Sequence, residues 1–241
     1  VIVDSVYNAD GMSPAPDIGV PGLTRTRDNE AEALGSVVLG RLREAIIAGT
    51  LTAGRRLSEV QLAKEYGVSR TPIRDALARL QSEGLVTIYP HVGAFVRTMT
   101  VDDVDEIYQL REALESLALR LLLPLMTHVG RAQLQQTLDA MRGAVEADDH
   151  ERYAELLDRF HTGIIVQSGN RMLLGVFQGL MGPIRRMRRF TLRSPGRLQE
   201  SLAQHVAIAD ALLAGDPACE ERLARHLGDA AVVLKRILSV T

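Results

Sequence analysis

The chain has 241 residues, 46% of them hydrophobic and 24% charged, and a formal net charge of −2. This composition provides for a buried core and excludes an intrinsically disordered polymer, while the length allows one large or two ordinary domains. The longest apolar run, Leu117 to Met126, is broken by Arg120 and Pro124, which excludes a transmembrane helix there and leaves no membrane partner to expect.

Residues 1–33 carry two Arg against six Asp and Glu, with Pro14, Pro16 and Pro21 and no helical periodicity. They are expected to form a loose N-terminal arm. No basic segment followed by an apolar core opens the chain, so a secretory signal is not expected. Residues 34–98 reverse the balance, with nine Lys and Arg against five acids, a distribution suited to phosphate contact.

Within that segment, Leu57 to Gly67 predicts a short helix, with Ser58 as N-cap, Gln61 at capping-box spacing and Gly67 as terminator. Val68 to Leu77 predicts a second helix, with Ser69 as cap and Pro72 in the first turn, where a missing N–H costs little. Two short helices joined at Gly67-Val68, the second carrying Arg70, Thr71 and Arg74 on its first turns, make a helix-turn-helix. Arginine suits this place because its planar fork grips phosphate or reads guanine in the major groove. Gly84–Tyr89 and Ala94–Arg97 read as strands around the turn Pro90-His91-Val92-Gly93, the wing of a winged helix.

The run Leu42 to Gly49, together with Gly54-Arg55-Arg56-Leu57, Ser69 to Arg74, Glu83-Gly84-Leu85-Val86 and Gly93-Ala94-Phe95-Val96, resembles the winged-helix domain of the GntR family of bacterial transcriptional regulators. The resemblance implies DNA contact by Arg70, Thr71 and Arg74 and by His91 and Gly93 at the wing tip, where His91 stands as the one candidate cation. Val60 occupies a place where some relatives carry arginine. A homodimer on double-stranded, palindromic operator DNA is the expected partner arrangement.

From Val101 onward helical periodicity replaces strand signals. Ile107, Leu110, Leu114, Leu117 and Leu121 keep a three-then-four spacing, predicting an amphipathic helix with these residues inward. Breaks at Thr127–Gly130, Asp148–His150, Ser168–Asn170, Ser194–Gly196 and Gly215–Pro217 divide the remainder. The fold class expected is thus mainly α, a winged helix-turn-helix over 34–98 followed by an all-α antiparallel bundle of about six helices over 99–241. The single cysteine, Cys219, allows no intrachain disulfide and fits a reducing cytoplasm.

Leu110 to Glu115, Asp158 to His161 with Ser168 to Asn170, and His205 to Ile208 with Gly215-Asp216 and His226-Leu227 resemble the FCD effector domain of the FadR-like branch of that family. The resemblance implies a divalent metal held by one Asp and three His, here Asp158, His161, His205 and His226. In the family pattern the aspartate precedes its histidine by four residues, where this chain has Leu157. The residue chemistry runs in parallel, because bundles build metal sites from side chains on facing helices. Imidazole and carboxylate suit Zn²⁺, Ni²⁺ or Mn²⁺ without choosing among them.

Arg111 shares a face with apolar residues and therefore needs an anionic partner. Either Glu115 or the carboxylate of a small effector fills that need, the second being what the FCD resemblance implies. Asn170 stands as a further effector contact beside its plain reading as a helix cap, and one arginine of Arg185 to Arg189 is free to turn inward toward an acid. The function expected is a ligand-responsive transcription regulator that binds a small carboxylic acid through a metal, and not an enzyme. Two alternatives remain: a constitutive DNA binder with a purely structural metal, and a metallohydrolase.

Overall fold

The computed structural model describes residues 25–240, with side chains described from Leu34 to Ser239. Most of the expected arm lies outside the described residues. Its last part does not stay loose, because helix α1 (Arg25–Ala48) begins inside it. Then come β1 (Arg56–Leu57), α2 (Glu59–Tyr66), α3 (Arg70–Ser82), β2 (Val86–Tyr89) and β3 (Gly93–Val96). Ser58 caps α2 by accepting from the Gln61 N–H, and Gly67 ends it in the left-handed region at φ 67°.

The strands form one antiparallel sheet in the order β1-β3-β2, with Val86 opposite Val96, Tyr89 opposite Gly93 and Leu57 opposite Ala94. The two-residue β1 is too short to leave a periodic trace in the sequence. Leu42, Ile46, Ile73, Leu77, Leu80 and Leu85 are almost wholly buried and fix α3 against α1 beneath the sheet.

A second core belongs to the bundle: α4 (Val101–Leu122), α5 (His128–Glu146), α6 (His150–Gln167), α7 (Arg171–Leu192), α8 (Arg197–Ala214) and α9 (Ala218–Val240). Six helices among the described residues, broken at the predicted places, match the expected bundle. Thr100 and Asp103 form a reciprocal capping box at the start of α4.

The inward face of α4 is the predicted one only in part: Ile107 and Leu114 pack against the core and Arg111 shares their face, but Leu110 and Leu117 do not turn inward. Val104, Tyr108, Arg111, Glu115, Ala118 and Leu122 are buried, whereas Leu110 and Leu117 are 48% and 37% exposed. The helix is rotated because a polar pair, Arg111 and Glu115, faces the bundle interior. An apolar stripe is left outside.

The two domains meet at α7. A Cβ on Gly182 would stand 2.5 Å from the Glu83 carbonyl oxygen, and the Pro183 ring lies 3.1 Å from where a Cβ on Gly84 would stand. Only a glycine lets the α7 backbone approach the turn after α3 this closely. Arg186 on the same helix donates to the Arg97 carbonyl, and Arg97 pairs with Asp103. Arg43 of α1 braces the turn from the other side through Glu83, with contacts of 2.6 and 2.7 Å.

Gly182→Ala is expected to force the two domains apart at this contact and lower stability by about 1–3 kcal/mol, the range for overpacking a close contact. Gly179→Ala, with nothing within 4 Å of its added methyl, is the control and should stabilise α7 slightly. Urea denaturation of both variants, with amide exchange at the Glu83–Leu85 turn, checks the prediction.

Candidate functional site

The first site is the outer face of α3. Arg70, Thr71 and Arg74 are all exposed on its opening turns, as predicted. The two arginines do not float free. Arg70 Nη2 and Arg74 Nη2 both donate to Glu59 Oε2, at 2.9 and 3.0 Å, and Arg74 Nε donates to Oε1 at 3.3 Å. These hydrogen bonds from Arg74 and Arg70 hold the Glu59 carboxyl below its ordinary range. One carboxylate on α2 thus aims two cations on α3, a role that helix-turn-helix spacing alone did not disclose.

At the wing, His91 is exposed at φ 61° and Gly93 sits at φ 128°, packed 3.3 Å (from an added Cβ) against Arg56 Nε. Arg56 Nη2 donates to the Val92 carbonyl at 2.9 Å. His91 is therefore not the only cation at the tip. Arg56 reaches it from β1 across the sheet, and the adjacent pair Arg55-Arg56 was the only sign in the sequence.

The second site lies inside the bundle. His161 on α6, His205 on α8 and His226 on α9 bring one ring nitrogen each to within 4.8 Å of one another, all buried. The opposite nitrogen of each ring is held by an acceptor. His161 Nδ1 lies 2.5 Å from Glu115 Oε2, and His205 Nδ1 lies 2.7 Å from the Ser201 carbonyl. His226 Nδ1 lies 2.7 Å from Gln204 Oε1, and the Gln204 amide is itself oriented by donating from Nε2 to Asp229 at 2.8 Å.

Burial would raise the Glu115 carboxyl, but the facing His161 and Arg111 outweigh it and hold the group at about 2. Burial lowers His161 despite the pull of Glu115, and lowers His205 and His226 well below the usual imidazole range. Burial thus favours the neutral form of each ring, and Glu115 pulls His161 the other way.

Neutral rings that donate from Nδ1 turn three Nε2 lone pairs toward one point. His161 Nε2 and His205 Nε2 are 3.1 Å apart, and with all three rings neutral and donating from Nδ1 no proton would lie between them. Two facing lone pairs repel unless a cation lies between them. Metal–nitrogen bonds of ~2.0–2.1 Å in a tetrahedral site separate neighbouring nitrogens by about 3.3 Å, close to this edge. The donor set fits a divalent metal, and the Nδ1 partners are the outer hydrogen bonds such ligands need.

The predicted fourth ligand is corrected. Asp158 Oδ2 accepts from Arg185 Nε at 2.5 Å and its Oδ1 pairs with Arg188, so its carboxylate belongs to α7 and is absent from the cluster. Standing three rather than four residues before His161, it is turned aside by one helix position, ~100°. Leu157 takes the family's aspartate place and lines the cavity beside the histidines. The carboxylate at the cluster is Glu115, which grips His161 from behind.

Arg111 is placed as expected, buried beside the cluster. Its Nε donates to Glu115 Oε1 at 2.9 Å, its guanidinium lies 5.2 Å from the Tyr108 ring centroid, and its Nη2 is buried without a partner. Glu115, the plainer of the two expected partners, satisfies one edge of the guanidinium and leaves the other open. Asn170 is corrected: its Oδ1 accepts from the Leu173 N–H at 3.1 Å as the α7 N-cap, and it does not line the cavity. The histidines border a cavity of about 20 Å³. A far larger cleft, about 960 Å³, runs between α1 and the α6–α7 pair.

An exposed arginine-bearing recognition helix beside a wing, joined to a helical bundle with a polar buried site, defines a two-domain DNA-binding regulator. Residues 34–96 match the bacterial regulatory proteins of the gntR family and residues 106–229 match the FCD domain. The chain belongs to the GntR family, in its FadR-like branch with an FCD domain. It is similar to the HTH-type transcriptional regulator YdhC of Bacillus subtilis, 30% identical over 82% of this chain and 89% of the relative. It is also similar to the HTH-type transcriptional repressor RspR of Escherichia coli, 26% identical over 88% and 93%. The solved structure of E. coli McbR/YncC superposes with a TM-score of 0.72 at 26% identity, over 85% of this chain and 98% of that one. These relatives are regulators, and the hydrolase alternative falls. Among the described residues no helix is long and apolar enough to cross a membrane.

Asp158→Asn is expected to leave Arg188 buried and underpaired, costing up to about 3–5 kcal/mol in urea denaturation, as for a broken buried ion pair. Divalent metal affinity, measured by competition with a chromogenic chelator, should stay within threefold. A loss of a hundredfold would restore Asp158 as a ligand.

Proposed function

We propose that this chain is a homodimeric transcription regulator whose bundle holds a divalent metal through His161, His205 and His226 and releases or engages DNA in response to a small carboxylate. The observation that carries the reading is the convergence of three Nε2 lone pairs beside an Arg111 nitrogen that is buried and unpartnered. When bound, the metal supplies Lewis-acidic positive charge beside that guanidinium. Arg111 orients an incoming carboxylate, and Tyr108 and Glu115 keep the guanidinium from swinging away.

Arg70, Thr71 and Arg74 enter the major groove, with His91, Gly93 and Arg56 at the wing. Glu59 holds the two recognition arginines in place before DNA arrives and yields them to phosphate or base on contact. Self-association follows the two-fold symmetry expected of palindromic operators, and the exposed Leu110 and Leu117 on one side of α4 are available to it. Helix α7 supports the coupling: Arg188 lines the histidine cavity, and Gly182 and Pro183 press on the turn that ends the recognition helix.

Arg74→Ala is expected to weaken binding to an operator selected from a random duplex library by more than tenfold, about 1–3 kcal/mol for a lost base contact. Fluorescence anisotropy at fixed salt checks this, and unchanged affinity removes Arg74 from the interface. Chelator-treated protein should gain thermal stability on adding Zn²⁺, Ni²⁺ or Mn²⁺, and His205→Ala should abolish that gain. Absence of any shift with all three metals overturns the metal reading. Metal uptake with operator affinity deaf to every bound acid supports the constitutive alternative.

A further inference from the structure

The histidine cavity gathers more guanidinium donors than one carboxylate needs. Besides Arg111, its lining includes Arg188 from α7 and Arg197 from the start of α8. These three arginines are 3%, 7% and 4% exposed. Each has a buried nitrogen without a hydrogen-bond acceptor: Arg111 Nη2, Arg188 Nη2 and Arg197 Nη1. Arg197 Nη1 does lie 2.9 Å from Glu200 Oε2, but that ion pair makes no hydrogen bond and Glu200 is 56% exposed.

Buried guanidinium nitrogens without a hydrogen-bond acceptor are costly, and here two are unpaired while the third is paired only with an exposed carboxylate. The local charges can be counted. Arg111, Arg185, Arg188 and Arg197 face Glu115, Asp158 and Glu200, an excess of one positive charge before the imidazoles are counted. A divalent metal at the histidines would raise the excess to three.

We infer that the ligand of this cavity is a dianion, such as a short dicarboxylate, with one carboxylate taken by Arg111 at the histidine cluster and the other by Arg188 and Arg197. The inference rests on the carboxylate reading above and deepens it. Arg188 and Arg197 come from different helices on either side of the Ser194–Gly196 turn, so a second anionic group bridges α7 to α8. Ser201, one turn into α8, lines the same space and offers a hydroxyl.

As it stands the cavity, about 20 Å³, admits little more than one water-sized group. Arg188 and Leu192 line both this cavity and the cleft of about 960 Å³ beside α1. The ligand enters by displacing that thin wall, and its second carboxylate replaces Asp158 as a partner of Arg188. A monoanion gains nothing from opening the wall.

The test is isothermal titration of the full chain, loaded with Zn²⁺, with malonate, succinate, glutarate and adipate, each beside the monocarboxylic acid of equal carbon number. At least one diacid is expected to bind tenfold or more tightly than its monoacid. In Arg197→Gln that preference should shrink below threefold, and in Arg197→Lys, which keeps charge without the planar fork, it should be intermediate. If Arg197→Gln does not fold, as judged by circular dichroism, the lysine variant alone decides. Equal binding of diacid and monoacid, or a preference unchanged in these variants, overturns the inference and leaves a monocarboxylate effector standing. Failure of all the acids to bind overturns both the inference and the carboxylate reading beneath it.

Discussion

The structure turns on one buried carboxylate. Glu115 is wholly enclosed, accepts from Arg111 on its own helix at 2.9 Å and faces His161 on α6 at 2.5 Å. A buried carboxylate survives as an anion only with such partners, and these two give it both charge and donors. In return it fixes the His161 tautomer, so that Nε2 faces inward, and it ties α4 to α6 at the cluster. The rotation of α4 follows from the same constraint. With Arg111 and Glu115 required inside, the leucine stripe two positions away is carried to the surface.

Helix α7 joins that centre to the DNA-binding domain. It carries Arg185 and Arg188 on Asp158, Arg186 on the Arg97 carbonyl, and Gly182-Pro183 against the Glu83–Gly84 turn. Cavity wall and domain contact thus lie on one helix, fewer than two turns apart. Packed elements of this kind shift between discrete arrangements rather than deforming continuously. Glu83 is shared between the Gly182 contact and the Arg43 pair, so a shift of α7 is felt by α1 as well as by α3.

Much of this was legible in the sequence because it is written in local chemistry. Caps at Ser58 and Gly67, breaks at Asp148 and Gly215, and arginines on the first turns of a helix after a tight turn need no tertiary information. The three histidines were found through their family positions and are brought together by the fold. What was misread depended on rotation about a helix axis or on partners distant in sequence. Spacing alone could not tell the α4 leucine stripe from the polar stripe beside it. Asp158 looked like a ligand until the α7 arginines claimed it, and Arg56 looked unremarkable until β1 paired with β3 and delivered it to the wing. The inward turn expected of one arginine in the 185–189 run is made by Arg188.

The small cavity bears on how strongly a ligand can act. A ligand shifts an equilibrium only by the difference between its affinities for the two states, and a tenfold change in DNA affinity corresponds to about 1.4 kcal/mol. A site already open would bind equally before and after the shift and transmit nothing. On the function proposed above, an arrangement that leaves about 20 Å³ beside the histidines would bind such a ligand poorly, and the differential would come from an opened one. The cost of opening would then lower apparent affinity and oblige binding and movement of the Arg188 wall to occur together. Because that wall is part of α7, and α7 abuts the turn that ends the recognition helix through a contact only glycine permits, the tightness of the cavity would on that reading be the source of the coupling rather than an obstacle to it.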